Sequence, residues 1–277
     1  MKLGWRLQSK SSPTYTVVSC HFGDLFWITH LAESLQKFGD DRINEFLIVD
    51  QSREKQVELS AIPGVTKVLT FDPDEEQIAL GGHDHPASLD RALRTWQFTS
   101  SHVIIFDSDA FPISPGWIDR LPGVILAEEP GTSGELSHPC FMVFPVEAIP
   151  QVSFSEGFLE RHDNDTRLRF DTGRMVAHQL REHGYQVVMS PSVPGYRGLR
   201  GDMYAGGTVY HHGHASHTAA PQHLRIFTST KTEELWKQKI ARGEWSLLPQ
   251  DYLRLGYHYL ARRLSSQFRK MIRRAGG

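Results

Sequence analysis

Short, continuously apolar runs alternate with stretches whose apolar residues recur every three or four positions through the first 110 residues. Tyr15–Cys20 is a β-branched run ended by His21-Phe22-Gly23. Leu25, Ile28, Leu31, Leu35 and Phe38 then keep helical spacing until Gly39 stops them. Phe46–Val49 predicts a second strand, ended by Asp50-Gln51-Ser52, and Val65–Phe71 a third. Leu89, Leu93 and Trp96 mark another helix, and Val103–Phe106 a fourth strand, ended by Asp107-Ser108-Asp109. Unbroken apolar strands separated by helices predict an α/β fold whose central sheet is mostly parallel, with helices on both faces. In such sheets ligands bind beyond the carboxyl ends of the strands. His21, Asp50, Asp107 and Asp109 should therefore converge on one crevice.

The second half is less regular. Cys140–Phe144, Gln186–Met189 and Thr208–Tyr210 read as strands, and Met175 to His183-Gly184 as a helix with a glycine stop. The strand at Thr208 runs into the cluster His211-His212-Gly213-His214-Ala215-Ser216-His217. Two helical segments follow, Thr230–Ala241 and Gln250–Arg274, and Gly81–Pro86 is expected to be a mobile loop.

Charge changes this picture only at the end of the chain. Thirty Lys and Arg against 32 Asp and Glu give −2, too little for a nucleic-acid field. Seven of the basic residues fall at or after Arg254 with no acid among them, which leaves 23 against 32, a net −9, for the rest. In the tail, Leu253, Tyr257, Leu260, Leu264 and Phe268 recur at helical spacing between the basic positions. Two readings stay open: an interfacial helix on an anionic membrane, and a helix docked on the protein's own acidic body. Cys20 and Cys140 lie in apolar runs without zinc-like spacing, so a reducing compartment is expected. The first sixteen residues lack a signal-peptide core, and no run approaches the roughly 18 apolar residues a bilayer needs. The expected location is the cytoplasm, with peripheral contact at the inner membrane face if the tail is interfacial.

The residues that bear chemistry cluster at the strand ends. Asp107 and Asp109, two apart behind a buried strand, can share a hard divalent cation, which suits a diphosphate. The same triplet could equally cap a helix or close an Asx turn. Asp171 is either a general base, partly desolvated by Phe170 and Met175, or a first-turn helix acid. The histidine cluster has three readings: structural zinc, a polar loop, or one metal or phosphate ligand among bystanders. His138, before Pro139, either presents an acceptor-side polar group or belongs to a loop. Gly81-Gly82-His83 offers a weak phosphate cradle.

An apolar strand followed by Asp-Ser-Asp resembles the DXD motif of GT-A-fold nucleotide-sugar glycosyltransferases of the family-2 type. Thr16–His21 and Glu45–Ser52 resemble the first two strands of that fold, and Ser88–Arg94 the helix before the DXD strand. Phe170-Asp171-Thr172-Gly173, with the helix leading to Gly184–Val187, resembles the acidic helix and following strand, with Phe where the family places Glu. Val209–Ser216 resembles the late histidine segment. The resemblance runs in order over residues 14–217.

It implies a GT-A-like, Rossmann-related domain at 1–225 and a C-terminal helical extension with a basic tail at 226–277. Within the domain, 14–112 would bind nucleotide and 113–225 the acceptor. It implies a glycosyltransferase that moves a sugar from a nucleotide-diphospho-sugar, a UDP-sugar favoured, to a hydroxyl acceptor such as a glycan or lipid-linked glycan. Mn²⁺ or Mg²⁺ would be held by Asp107 and Asp109, completed by His211. Ser19, His21, Asp50, Asp90, Arg94, Asp107, Ser108 and Asp109 would line the donor site, and Asp171 would be the base. Two other functions remain in view. A nucleotidyltransferase would want a glycine-rich basic loop after the first strand, where Cys20–Asp24 has one glycine and no basic residue. A non-catalytic nucleotide or carbohydrate module would have less need of the aspartate pair.

Overall fold

The computed structural model describes residues 12–52, 56–74, 84–121, 123–129, 132–156, 172–194, 201–213 and 230–244. Asp171, the phosphate-cradle glycines 81–82, His214, His217 and the basic tail lie outside them.

β1 (Tyr15–His21), β2 (Ile43–Asp50), β3 (Lys67–Leu69) and β4 (His102–Asp107) form the parallel half of a seven-stranded sheet. Its other half holds β6 (Ile125–Glu128), β7 (Ser137–Pro145) and β8 (Val188–Ser190). The order is β3-β2-β1-β4-β7-β6-β8, and β7 runs against both of its neighbours. The sheet is thus mostly parallel, as the apolar runs predict. β1 pairs β2 with His21 opposite Asp50, and β4 with Cys20 opposite Asp107, so three strands end at one edge.

Alternate residues of these strands feed two cores. On one face α1 (Leu25–Phe38) packs Trp27, Ile28, Leu31 and Leu35 against Val17, Ile48 and Phe106. On the other, α3 (His85–Thr95) packs Leu89 and Leu93 against Val18, Leu47 and Ile105, after the short α2 (Gln56–Ser60). α4 (Val176–Glu182) joins α3 on that face through Val176 and Leu180. Every one of the seven residues of β1 is buried, which explains its lack of alternation: each face meets a helix.

A second, antiparallel sheet sits over the strand ends: β5 (Ala110–Pro112), β11 (Val209–His211), β10 (Asp202–Tyr204) and β9 (Val193–Pro194), in that order. Its inner residues Phe111, Tyr204 and Tyr210 continue the α1-side core. α5 (Thr230–Ala241) returns to α1, where Lys237 pairs with Asp24, the α1 N-cap, and Ile240 is buried. No helix among the described residues is long and apolar enough to cross a membrane.

Three sequence expectations are corrected. Asp84, His85 and Pro86 form the start of α3 rather than a loop, because proline fits the first turn, where its missing N–H is no loss. The third strand shrinks to Lys67–Leu69. β5, β6, β9 and β10 have no counterpart among the expected strands, although Val124-Ile125-Leu126-Ala127 is a short apolar run of strand type.

Candidate metal and donor site

Asp107 is the last residue of β4, and Ser108-Asp109 turns the chain directly into β5. β5 pairs β11 with Ala110 opposite His211, and the His212 N–H donates to the Asp109 carbonyl at 3.0 Å. The late histidine segment is therefore stitched to the acidic turn by backbone hydrogen bonds. His211 Nε2 lies 3.5 Å from Asp109 Oδ1 and 3.8 Å from Asp107 Oδ2. One ligand atom from each of the three residues falls within 4.8 Å of the others. Gly201 allows this arrangement from behind: a Cβ there would stand 2.1 Å from the His211 carbonyl oxygen.

The site is recessed. Asp109 is 6% and His211 8% exposed, while Asp107 is partly open. Burial opposes a charge on His211, but the neighbouring Cys140 sulfur and the Asp109 carboxylate outweigh it and hold the imidazole well above its ordinary basicity. With Cys140 a thiol at neutral pH, Asp109 is the charge that matters. Burial pushes the Cys140 thiol up to about 11, against a lowering by His211.

Two more side chains reach the cluster from β7. Along β6, Leu126 pairs with Met142 and the next residue, Ala127, with His138, so 139–141 are extra on β7. That bulge surrounds Pro139 and brings His138 and Cys140 alongside His211, with the His138 and His211 rings 5.2 Å apart. The Tyr204 hydroxyl neighbours Cys140; burial, then Cys140, raises its pKa. On the α1 side His212 stacks on Trp27 at 4.3 Å, and its Nδ1 lies 3.0 Å from the Tyr210 hydroxyl.

The other sequence-predicted residues divide into two groups. Ser19 and His21 share the strand-end region and are fully buried. Asp50, 1% exposed, accepts at Oδ1 from the Ser52 N–H and hydroxyl, so it closes the β2 turn. Gln51 follows it, with Nε2 3.5 Å from Asp84 Oδ1 at the start of α3.

Asp90 and Arg94, which the resemblance implies for the donor site, both bond to the 152–155 segment. Asp90 lies along α3, and its carboxylate accepts from the Phe154 N–H (2.7 Å), the Ser153 hydroxyl (3.0 Å) and the Ser155 N–H (3.1 Å). Arg94 is in the last turn of α3, about 13 Å along the axis from His85, and its guanidinium donates to the Val152 carbonyl. Cys140 and Tyr204 were missed because their runs read as plain core; His138-Pro139-Cys140, a proline inside a strand with polar residues on both sides, was the available signal.

No protein-family model matches the chain. No curated protein matches it either. Among solved structures it is similar to a mannosyltransferase of Pyrobaculum calidifontis in complex with GDP-Man and Mn²⁺, at 17% identity and a TM-score of 0.43. That likeness covers 66% of this chain and 56% of the other. Glucosyl-3-phosphoglycerate synthase of Mycobacterium tuberculosis, with Mn²⁺, UDP and glucosyl-3-phosphoglycerate, gives 15%, with 65% and 70% covered and a TM-score of 0.42. GalNAc-T7 with UDP, GalNAc and Mn²⁺ gives 10%, with 64% and 41% covered and a TM-score of 0.42.

Proposed function

We propose that the chain is a glycosyltransferase that uses a divalent cation and a nucleotide-diphospho-sugar to glycosylate a hydroxyl acceptor. One observation carries this: Asp107, Asp109 and His211, from two different sheets, converge within 4.8 Å at the carboxyl edge of a mostly parallel sheet. Two carboxylates and an imidazole suit Mn²⁺ or Mg²⁺. When bound, such a cation offsets charge on the diphosphate as it leaves. The protein's own part is to hold the three donors at fixed separation, through the Asp109–His212 backbone bond and the β5–β11 pairing, and to keep water from their buried side.

In the reaction the bond from the anomeric carbon to the diphosphate oxygen breaks, a bond to the acceptor oxygen forms, and the acceptor proton goes to a base. Asp171 remains our candidate for that base. We assign the nucleoside to the edge formed by Asp50 and Gln51, at the end of β2, and Asp84, at the start of α3. A UDP-sugar is the donor we favour.

A thermal-shift panel of UDP-, GDP-, dTDP- and CMP-linked nucleotides, each with Mn²⁺ or with EDTA, tests the reading. A shift with one nucleotide that EDTA removes is the expected result. Absence of any shift from a well-folded protein would favour a non-catalytic module on the same sheet.

A further inference from the structure

His211 belongs to two donor sets. Besides Asp107 and Asp109, it shares a 4.8 Å cluster with His138 and Cys140. The first set is oxygen-rich and hard; the second offers two imidazoles and a sulfur. A thiolate with imidazoles suits Zn²⁺ and Co²⁺, whereas carboxylate oxygens suit Mn²⁺ and Mg²⁺. The β7 bulge delivers His138 and Cys140 to the same imidazole from the same side, and Cys140 itself is fully buried. We infer that His138, Cys140 and His211 form a second metal site of soft character beside the carboxylate pair, and that Zn²⁺ bound there takes His211 away from it. The chain would then be inhibited by Zn²⁺ through a shared ligand rather than by simple replacement of Mn²⁺ at the aspartates.

Binding there displaces the contacts of the Cys140 thiol with His211 and Tyr204 and a proton that burial retains. His138 Nδ1 accepts the Cys140 N–H in a long, neutral contact of 3.2 Å, which an ion on that nitrogen would displace. Zn²⁺ also displaces the thiol proton, which leaves to solvent, so no oxidant or reductant is involved. Cys20, the other cysteine, lies on the opposite core face and is not part of the cluster.

Titration of the full chain with Co²⁺ provides the test, because a thiolate bound to cobalt gives a sulfur-to-metal charge-transfer band in the near ultraviolet. The band is expected in the wild type and in Cys20→Ser, absent in Cys140→Ser, and to need at least tenfold more Co²⁺ in His138→Gln. Should Cys140→Ser fail to fold, Cys140→Ala serves as the second variant. Zn²⁺ should bleach the band and weaken Mn²⁺ binding at least tenfold, read by electron paramagnetic resonance of the free ion. A wild type with no band at saturating Co²⁺, or a band that survives the loss of Cys140, overturns the site. Unchanged Mn²⁺ affinity in saturating Zn²⁺ overturns the sharing of His211. None of these readouts uses a nucleotide, so failure of the glycosyltransferase reading would be seen separately.

Discussion

Asp109 shows how one residue can be both anchored and available. Its carbonyl accepts from the His212 N–H, which fixes the turn, while its carboxylate faces His211. Backbone and side chain therefore have separable duties. Asp109→Ala keeps the backbone bond and should fold, with a melting temperature within a few degrees of wild type. It should also lose the Mn²⁺-dependent thermal shift with nucleotide, by at least a hundredfold in affinity. If the variant is instead unfolded by circular dichroism, the carboxylate is structural and the site assignment is wrong. The aspartate pair and His211 were legible in the sequence because each ends a short apolar run. Cys140 was not, since a cysteine inside Cys140-Phe141-Met142-Val143-Phe144 looks like any other buried apolar residue.

At the scale of elements, α3 joins the ligand edge at its start to the 152–155 segment along its length. Its start, Asp84 and His85, stands at the ligand edge, but Asp90 and Arg94 lie progressively farther from it. Asp90 holds Ser153, Phe154 and Ser155, and Ser153 and Gln179 continue that bond network to α4. Asp90→Ala would leave buried donors without their acceptor, and should cost about 2–3 kcal/mol in urea unfolding. Nucleotide affinity should change little, and a large loss of binding with unchanged stability would place Asp90 in the donor site. The β7 bulge is another element-scale feature with no plain sequence pattern. Only the pairing with β6 reveals that three residues are extra.

Across the whole molecule, the two sheets share one core, so the site inherits its rigidity from packing on both sides of β1 and β4. Stability should also depend on pH through histidines the fold has half-buried. Burial lowers the pKa of His102, at the start of β4, against a raising influence of Glu147, and burial lowers that of His30 in α1 against Glu33. A folded-state pKa below the unfolded value of about 6.5 means that the unfolded chain binds the proton first. These histidines therefore subtract stability as pH falls below about 6.5, and contribute no penalty above it. His211, held above its ordinary basicity, works the other way, so the test is comparative: the urea midpoint at pH 5.5 relative to that at pH 7.5 should be higher in His102→Gln than in the wild type. Equal spacing in the two proteins would show that His102 titrates as it does in the unfolded chain.

What the sequence by itself determined is the central parallel strands β1, β2 and β4 and the polar residue ending each one, His21, Asp50 and Asp107. Continuous apolar runs bounded by Asp or His can be satisfied only by burial on both faces, and the chain order of such strands with intervening helices leaves parallel pairing as the economical solution. Tertiary structure alone decided which of those polar residues meet. His211 follows Asp107 by 104 positions, and nothing local states that β11 will pair with β5. The 3.5 Å approach to Asp109, the bulge that brings Cys140 to the same imidazole, and the bonding of Asp90 to the 152–155 segment all arise from long-range contacts. Local sequence sets the period and the ends of each element, but separations of this kind are fixed only when distant strands choose their register.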